Sequence, residues 1–411
     1  MSLYQLARDN QTEELSDRAK SSDSAAVRRR AAEMLGDVGD VDDTQVTETL
    51  ADLALTDDDA EVRAMAVDAL SDLGQEALEQ LIARDSALDA DIEPGDTDWT
   101  AIRAFADALS ADRPECRMAA ASALGRIGDQ DGVAPLRKRL DDDDPRVRER
   151  VCYALGRIGH PQAVDALIER LDDEFERVRS AAADALGSIA TGRALAALTE
   201  MLDDDNEAIR RVAASALGNA GSAEPVPDLV AALNDDHEAV RYAAVFSIIE
   251  LLSTAPRDQS HTVREAIVEE LEAVDDETVV DPLLEVLEEA TEAGQRRNAV
   301  WFLGRVTDAE EPPTRVVDAL VETLSDDDRM TAQFASTSVT ELGGLYVESS
   351  LIDLLEDADE PSGARARAAY ALGEVGGDRA QETLDRMTDE DVEPEVRKRA
   401  FSALSKLGGI R

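Results

Sequence analysis

The chain has 411 residues, and 91 Asp and Glu against 42 Lys and Arg leave a net charge of −49. An apolar content of 43% suffices for a folded core, which excludes wholesale disorder. No apolar run approaches the ~18 residues of a membrane span. The start, Met1 to Asp9, has neither a basic cluster nor an apolar stretch, so no secretory signal is expected.

Only Lys20, Lys138, Lys398 and Lys406 are lysines; the other cations are arginine. So negative a charge strains a compact state by self-repulsion unless salt screens it. At ~1 M salt the Debye length is only ~3 Å. The composition therefore points to a cytoplasmic protein of an extreme halophile. It also argues against nucleic acid, whose binding relies on Lys and Arg displacing counterions.

One pattern recurs along the whole chain. Its first anchors are Leu35 and Leu70. An acidic stretch at 84–97, with Pro94-Gly95, then reads as a loop. Leu124, Leu155, Leu186, Leu217 and Ile248 follow at a spacing of 31 residues. Residues 253–262 read as a second loop, and 262–274 with 278–291 as a degenerate helix pair. Leu303, Val339, Leu372 and Leu404 complete eleven copies. We expect three segments of one array: an N-terminal arm at 1–110, a regular centre at 111–252 and a C-terminal arm at 253–411.

Each copy reads as two helices. Val164, Leu167, Ile168 and Leu171 fall on one face of a first helix. An acidic turn follows the first helix; in the preceding copy it is Asp141 to Asp144. There Asp144 suits a cap and Pro145 the first helical position. The second helix sets Val147, Val151, Leu155 and Ile158 on one stripe, and Gly159 ends it before His160-Pro161. Paired alanines such as Ala182-Ala183 and Ala213-Ala214 allow close helix approach. A single pair cannot bury its own apolar faces and must stack on neighbours.

The pattern Val-Arg-x-x-Ala-Ala-x-Ala-Leu-Gly-x-Ile-Gly after Leu-x-Asp-Asp-Asp resembles the HEAT-like repeat of the phycobilisome-lyase type. The resemblance implies an all-α fold, a right-handed α-solenoid superhelix of about twelve helix pairs with the second helices lining its concave side. At ~8–10 Å between helices the array would be on the order of 100 Å long. The family includes chromophore lyases, hydroxylases and plain scaffolds.

Little in the chain suggests catalysis. HEAT-like hydroxylases use several His-Glu pairs as iron ligands. Here only His237-Glu238 resembles one, and His160 and His261 stand apart in the repeat register. Cys116 and Cys152 occupy positions filled elsewhere by Val and Ala, so both read as core residues without a neighbouring base. Asp141 to Asp144 lacks the spaced pattern of a calcium loop. The glycines of Leu-Gly-x-Ile-Gly read as helix stops rather than a nucleotide loop. No catalytic residue, cofactor or metal site, and no small-molecule substrate, is expected.

An arginine follows the first apolar position in ten copies, among them Arg28, Arg117, Arg148, Arg210 and Arg296. Acids at a fixed offset favour a structural row of bonds over an anion-binding ladder. Five positions further on, the occupants should face away from the core. Four of the eleven are aromatic, Tyr153, Phe246, Trp301 and Tyr370, against about 0.3 expected from the 3% aromatic content. Tyr242 lies one turn earlier on this stripe, and Arg126, Arg157 and Arg305 one turn later. These residues read either as partner-binding anchors or as fillers of packing gaps. Residues 111–160 carry a net charge of +1 in this otherwise acidic chain, which marks a candidate docking patch.

The function expected is therefore a non-enzymatic scaffold or adaptor that binds protein partners along the concave face. By resemblance to HEAT-like proteins of salt-loving archaea, such partners include taxis and motility proteins. Two rival classes are an enzyme or chromophore-handling lyase and a nucleic-acid-binding solenoid.

Overall fold

In the computed structural model, residues 2–41, 43–85, 98–254, 264, 267, 276–390 and 392–408 are described, and all regular structure among them is helical. The helices alternate along the chain as stacked hairpins, the arrangement of an α-solenoid. They divide into two compact units, Met1–Leu198 and Thr199–Arg411.

One hairpin shows how the sequence builds the rest. Asp144 accepts a hydrogen bond from the Arg146 backbone N–H, and Pro145 opens the helix Pro145–Ile158. Val147, Val151 and Leu155 are fully buried along its core stripe, while Ile158 is half-buried. Gly159 stops the helix in the left-handed region at φ +68, which costs a glycine nothing. The His160 ring then accepts from the Gln162 backbone N–H and starts the next hairpin. Val164, Leu167 and Leu171 are buried as the spacing predicts, with Ile168 half-buried. That first helix is itself broken into Pro161–Ala163, Val164–Ile168 and Glu169–Asp172.

The second helices form the structural spine of each unit. In the first they are Ala25–Val38, Ala60–Leu73, Pro114–Ile127, Pro145–Ile158 and Glu176–Ile189, each packed on the next. In the second they are Glu207–Leu217, Glu238–Thr254, Ala293–Val306, Arg329–Leu342, Ser362–Val375 and Pro394–Lys406.

The glycine reading needs correction. Gly128 and Gly159 do stop helices, but the first glycine of each motif lies inside its helix. A Cβ on Gly125 would stand 2.8 Å from Ala154 Cα, and one on Gly156 would stand 2.9 Å from Ala185 Cα. These glycines let successive second helices touch backbone to backbone. Of the loop expected at 253–262, Ser253 and Thr254 are instead helical and close the helix Glu238–Thr254, and 255–262 lie outside the described residues. The second helix of the expected degenerate pair, 278–291, is present as Asp276–Glu289. Of 262–274 only Arg264 and Ile267 are described, both helical. The rest, with His261 and residues 86–97, lies outside the described residues.

The arginine row is a set of ties between hairpins. Arg28 binds both carboxylate oxygens of Asp57, Arg117 those of Asp142, and Arg148 those of Asp173. In the second unit Arg210 does the same with Asp235 and Arg296 with Asp326. Each guanidinium also donates to a carbonyl six residues before it, as Arg148 does to Asp142 O at 2.8 Å. Burial opposes ionisation of Asp57 and Asp173, yet the bonds from Arg28 and Arg148 and from backbone N–H groups outweigh it. Both carboxyls are held below the usual range, as is Asp235 beside Arg210. These five guanidiniums are thus engaged by the chain's own acids, while Arg179, Arg241 and Arg397 donate to backbone carbonyls.

Candidate functional site: the outward stripe of the second helices

Arg146, Arg150, Tyr153 and Arg157 follow one another at helical spacing on one face of Pro145–Ile158. Arg146 Nη1 donates to Ala60 O at 2.6 Å, and Arg150 donates to the Asp68 carboxylate. From the next repeat Arg177 lies 3.6 Å from Glu61. Arg146 and Arg150 reach the helix Ala60–Leu73 past the intervening Pro114–Ile127, and Arg177 reaches it past Pro145–Ile158 as well. Neighbouring helices stand ~8–10 Å apart, so such contacts form only on the inner side of a curve. Within the first unit, the stripe that contains Tyr153 therefore faces inward.

The C-terminal half of this stripe borders a cleft of about 570 Å³. Its walls are Arg150, Tyr153, Arg157, Asp184 and Ser188, with Gly156 and Ala185 where the two helices meet. Tyr153 is 39% exposed, whereas Val151, Cys152, Ala154 and Leu155 around it are buried. Burial, and then the nearby Glu149 and Asp184 carboxylates, push its phenol upward. Burial also pushes Asp184, Glu149 and Asp68 above the usual carboxylate range; for Asp68 the neighbouring Arg150 only partly offsets it. Arg150 Nε is buried without a partner. Arg157 and, one repeat earlier, Arg126 are exposed, and neither forms an ion pair among the described residues.

The second unit presents its own outward stripe. Phe246 is 43% exposed and Tyr370 36% exposed. Arg399 and Lys406 lie over the Tyr370 ring at 5.9 and 5.3 Å. Tyr242 is half-buried, and its pKa is pushed up by burial and then by its hydrogen bond to Glu285. Trp301 is half-buried beside Phe302, with the Arg264 guanidinium 5.8 Å from its ring centre. Arg305 approaches Glu341 at 3.5 Å. The structure thus joins Tyr153 and Arg157 in one cleft, whereas Tyr242, Trp301 and Arg305 contact their own neighbours.

Sequence reasoning missed Arg146, Arg150 and Asp184. The first two share the face of Tyr153 by helical spacing, and Asp184 sits in Tyr153's own register position one repeat later. It also missed Tyr346, an exposed ring whose hydroxyl donates to Asp318 at 2.8 Å.

Among the described residues no group of three or more His, Cys, Asp and Glu side chains converges as metal ligands would. Cys116 and Cys152 are buried, and burial raises both thiols, that of Cys152 to about 12. Such thiols are poor nucleophiles. No helix among the described residues is long and apolar enough to cross a membrane.

Known proteins place this geometry in a family. Models of HEAT repeats match residues 12–92, 102–187, 133–214, 196–248, 248–338 and 317–405. A HEAT repeat-containing taxis protein of Halobacterium salinarum is 45% identical over 409 residues, 99% of either chain. Among solved structures, the complex of CpcE and CpcF of phycocyanin lyase from Nostoc sp. is 21% identical, with 63% of this chain and 94% of that chain covered, at a TM-score of 0.39. Importin beta is 14% identical, with 97% of this chain and 61% of that chain covered, at a TM-score of 0.43. On the matches to the HEAT-repeat models and the 45% identity to the Halobacterium protein, the chain belongs to the HEAT-repeat family.

Proposed function

We propose that the protein is a non-enzymatic adaptor in taxis signalling, which binds a protein partner on the exposed stripes of its second helices. The observation that carries this reading is the Tyr153 cleft. An aromatic ring and an unpaired arginine stand together on an inward-facing surface, in a chain whose repeated arginines are otherwise consumed by structural ties. Aromatic and Arg side chains are the preferred anchors of protein interfaces. The taxis assignment draws on the name of the Halobacterium relative, and that setting favours a cytoplasmic, high-salt environment. Phe246, Trp301, Tyr242 and Tyr370, with Arg305 in support, supply a second contact region in the Thr199–Arg411 unit.

The test pairs a swimming assay with capture. A strain lacking the gene should lose directed swimming and regain it with the wild-type chain. The double variant Tyr153→Ala, Trp301→Ala should remain folded at molar salt, yet fail to restore swimming or retain the partner. Full restoration by the double variant would reject the stripe as the binding surface. Enzymatic turnover by the purified chain would reject the adaptor reading itself.

A further inference from the structure

The stripe on Pro145–Ile158 is half occupied by the chain itself. Its N-terminal half, Arg146 and Arg150, is engaged by Ala60–Leu73, a helix that offers Asp68 to Arg150 and a backbone carbonyl to Arg146. The same helix offers Glu61 to Arg177, so its two carboxylates stand seven residues apart, two turns on one face. The C-terminal half adds one more arginine, Arg157, which has no ion pair among the described residues. Arg157 lies seven residues beyond Arg150, with Tyr153 between them, and opens onto the cleft.

We infer that this vacant half takes an acidic helical segment of the partner, with carboxylates two turns apart on Arg157 and Arg126 and an apolar side chain against Tyr153. The inference rests on the adaptor reading and adds the partner's chemistry to it. Charge complementarity supports it, because residues 111–160 carry a net charge of +1 while the rest of the chain carries −50. The continuity of the stripe supports it as well, since Arg150 on this helix already holds a carboxylate of another, Asp68. At ~1 M salt the long-range repulsion between two acidic proteins is screened within ~3 Å, so contact pairs of this kind decide recognition.

The full-length protein in molar KCl is titrated against a fluorescein-labelled Ala-rich helical peptide of about 20 residues, long enough to hold a helix. The peptide bears one Leu between carboxylates placed at i and i+7. A second peptide carries Lys at the carboxylate positions. The acidic peptide should bind, the Lys peptide should not, and Arg157→Ala and Arg126→Ala should each weaken binding about tenfold, as loss of an interface anchor does. Both substitutions are at exposed positions, and unchanged thermal melting verifies the fold. Equal binding of the two peptides, or binding indifferent to Arg157→Ala, would overturn the inference. If the acidic peptide fails while Tyr153→Ala still abolishes partner capture, the chemistry proposed here falls and the adaptor reading stands. If both fail, the cleft is not a docking site.

Discussion

Arg148 holds both carboxylate oxygens of Asp173 at 2.8 and 2.9 Å while its third nitrogen donates to Asp142 O. One guanidinium thereby fixes the turn before its own helix and the turn before the next. Both side chains are nearly inaccessible to water. Removal of one partner strands the other charge, which costs about 3 kcal/mol in a buried pair. Arg148→Ala should lower stability by roughly this amount, read from urea denaturation at constant KCl. Arg148→Lys should recover only part, because an ammonium cannot span two oxygens and a carbonyl in one plane. A wild-type midpoint for Arg148→Ala would show the ties to be ornamental.

Gly156 gives a prediction that runs against helix propensity. Alanine is the better helix former by about 1 kcal/mol. A methyl group at this site would meet Ala185 Cα at 2.9 Å and its Cβ at 3.0 Å. Backbone cannot yield as a flexible side chain does, and overpacking of this kind costs ~1–3 kcal/mol. Gly156→Ala should therefore melt lower than wild type. An unchanged or higher melting temperature would mean that the two helices have room to separate.

Titration should show two opposite phases. Asp68, Glu149 and Asp184 are raised by burial, so their ionisation opposes the folded state, and protonation relieves it as pH falls toward the ordinary carboxylate range. Asp57, Asp173 and Asp235 are lowered, so their contribution is complete above the ordinary carboxylate value. It is lost as pH drops through ~4 and below. Urea midpoints at fixed salt should stay level or rise slightly as pH falls from about 7 toward the ordinary carboxylate range, then collapse below it. Asp184→Asn should remove part of the first phase. A steady decline from pH 7 would contradict these assignments.

Salt should be a structural requirement. With a net charge of −49, dilution below about 0.1 M lengthens screening to ~10 Å and exposes every repeat to its neighbours' field. Helical circular dichroism should fall on dialysis and return with KCl. Retention of full helicity at low salt would show that close pairing alone balances the charge.

The repeat and its core were legible because a short motif states the same packing problem eleven times. Leu155 is buried for the same reason as Leu124 and Leu186. The structural role of the arginine row was legible from the fixed offset to the acids. Gly156 was misread because spacing alone cannot distinguish a helix stop from a close contact with a neighbour 29 residues away. The outward position of Tyr153 followed from helical periodicity. Its cleft did not, since that also needs Asp184 and Ser188 from the next hairpin. The Arg150–Asp68 bond, 82 residues apart, was beyond reach. It depends on how sharply the first unit curves, which no local motif encodes.

That bond, with Arg146 to Ala60 and Arg177 to Glu61, has a mechanical consequence. A stack joined only between nearest neighbours stretches like a spring, with the load shared along its length. Bonds that bypass a hairpin make one stretch of the first unit stiffer than the rest. Under tension these bypass links would carry the load until they part, and the hidden half of the arginine stripe would then be laid open.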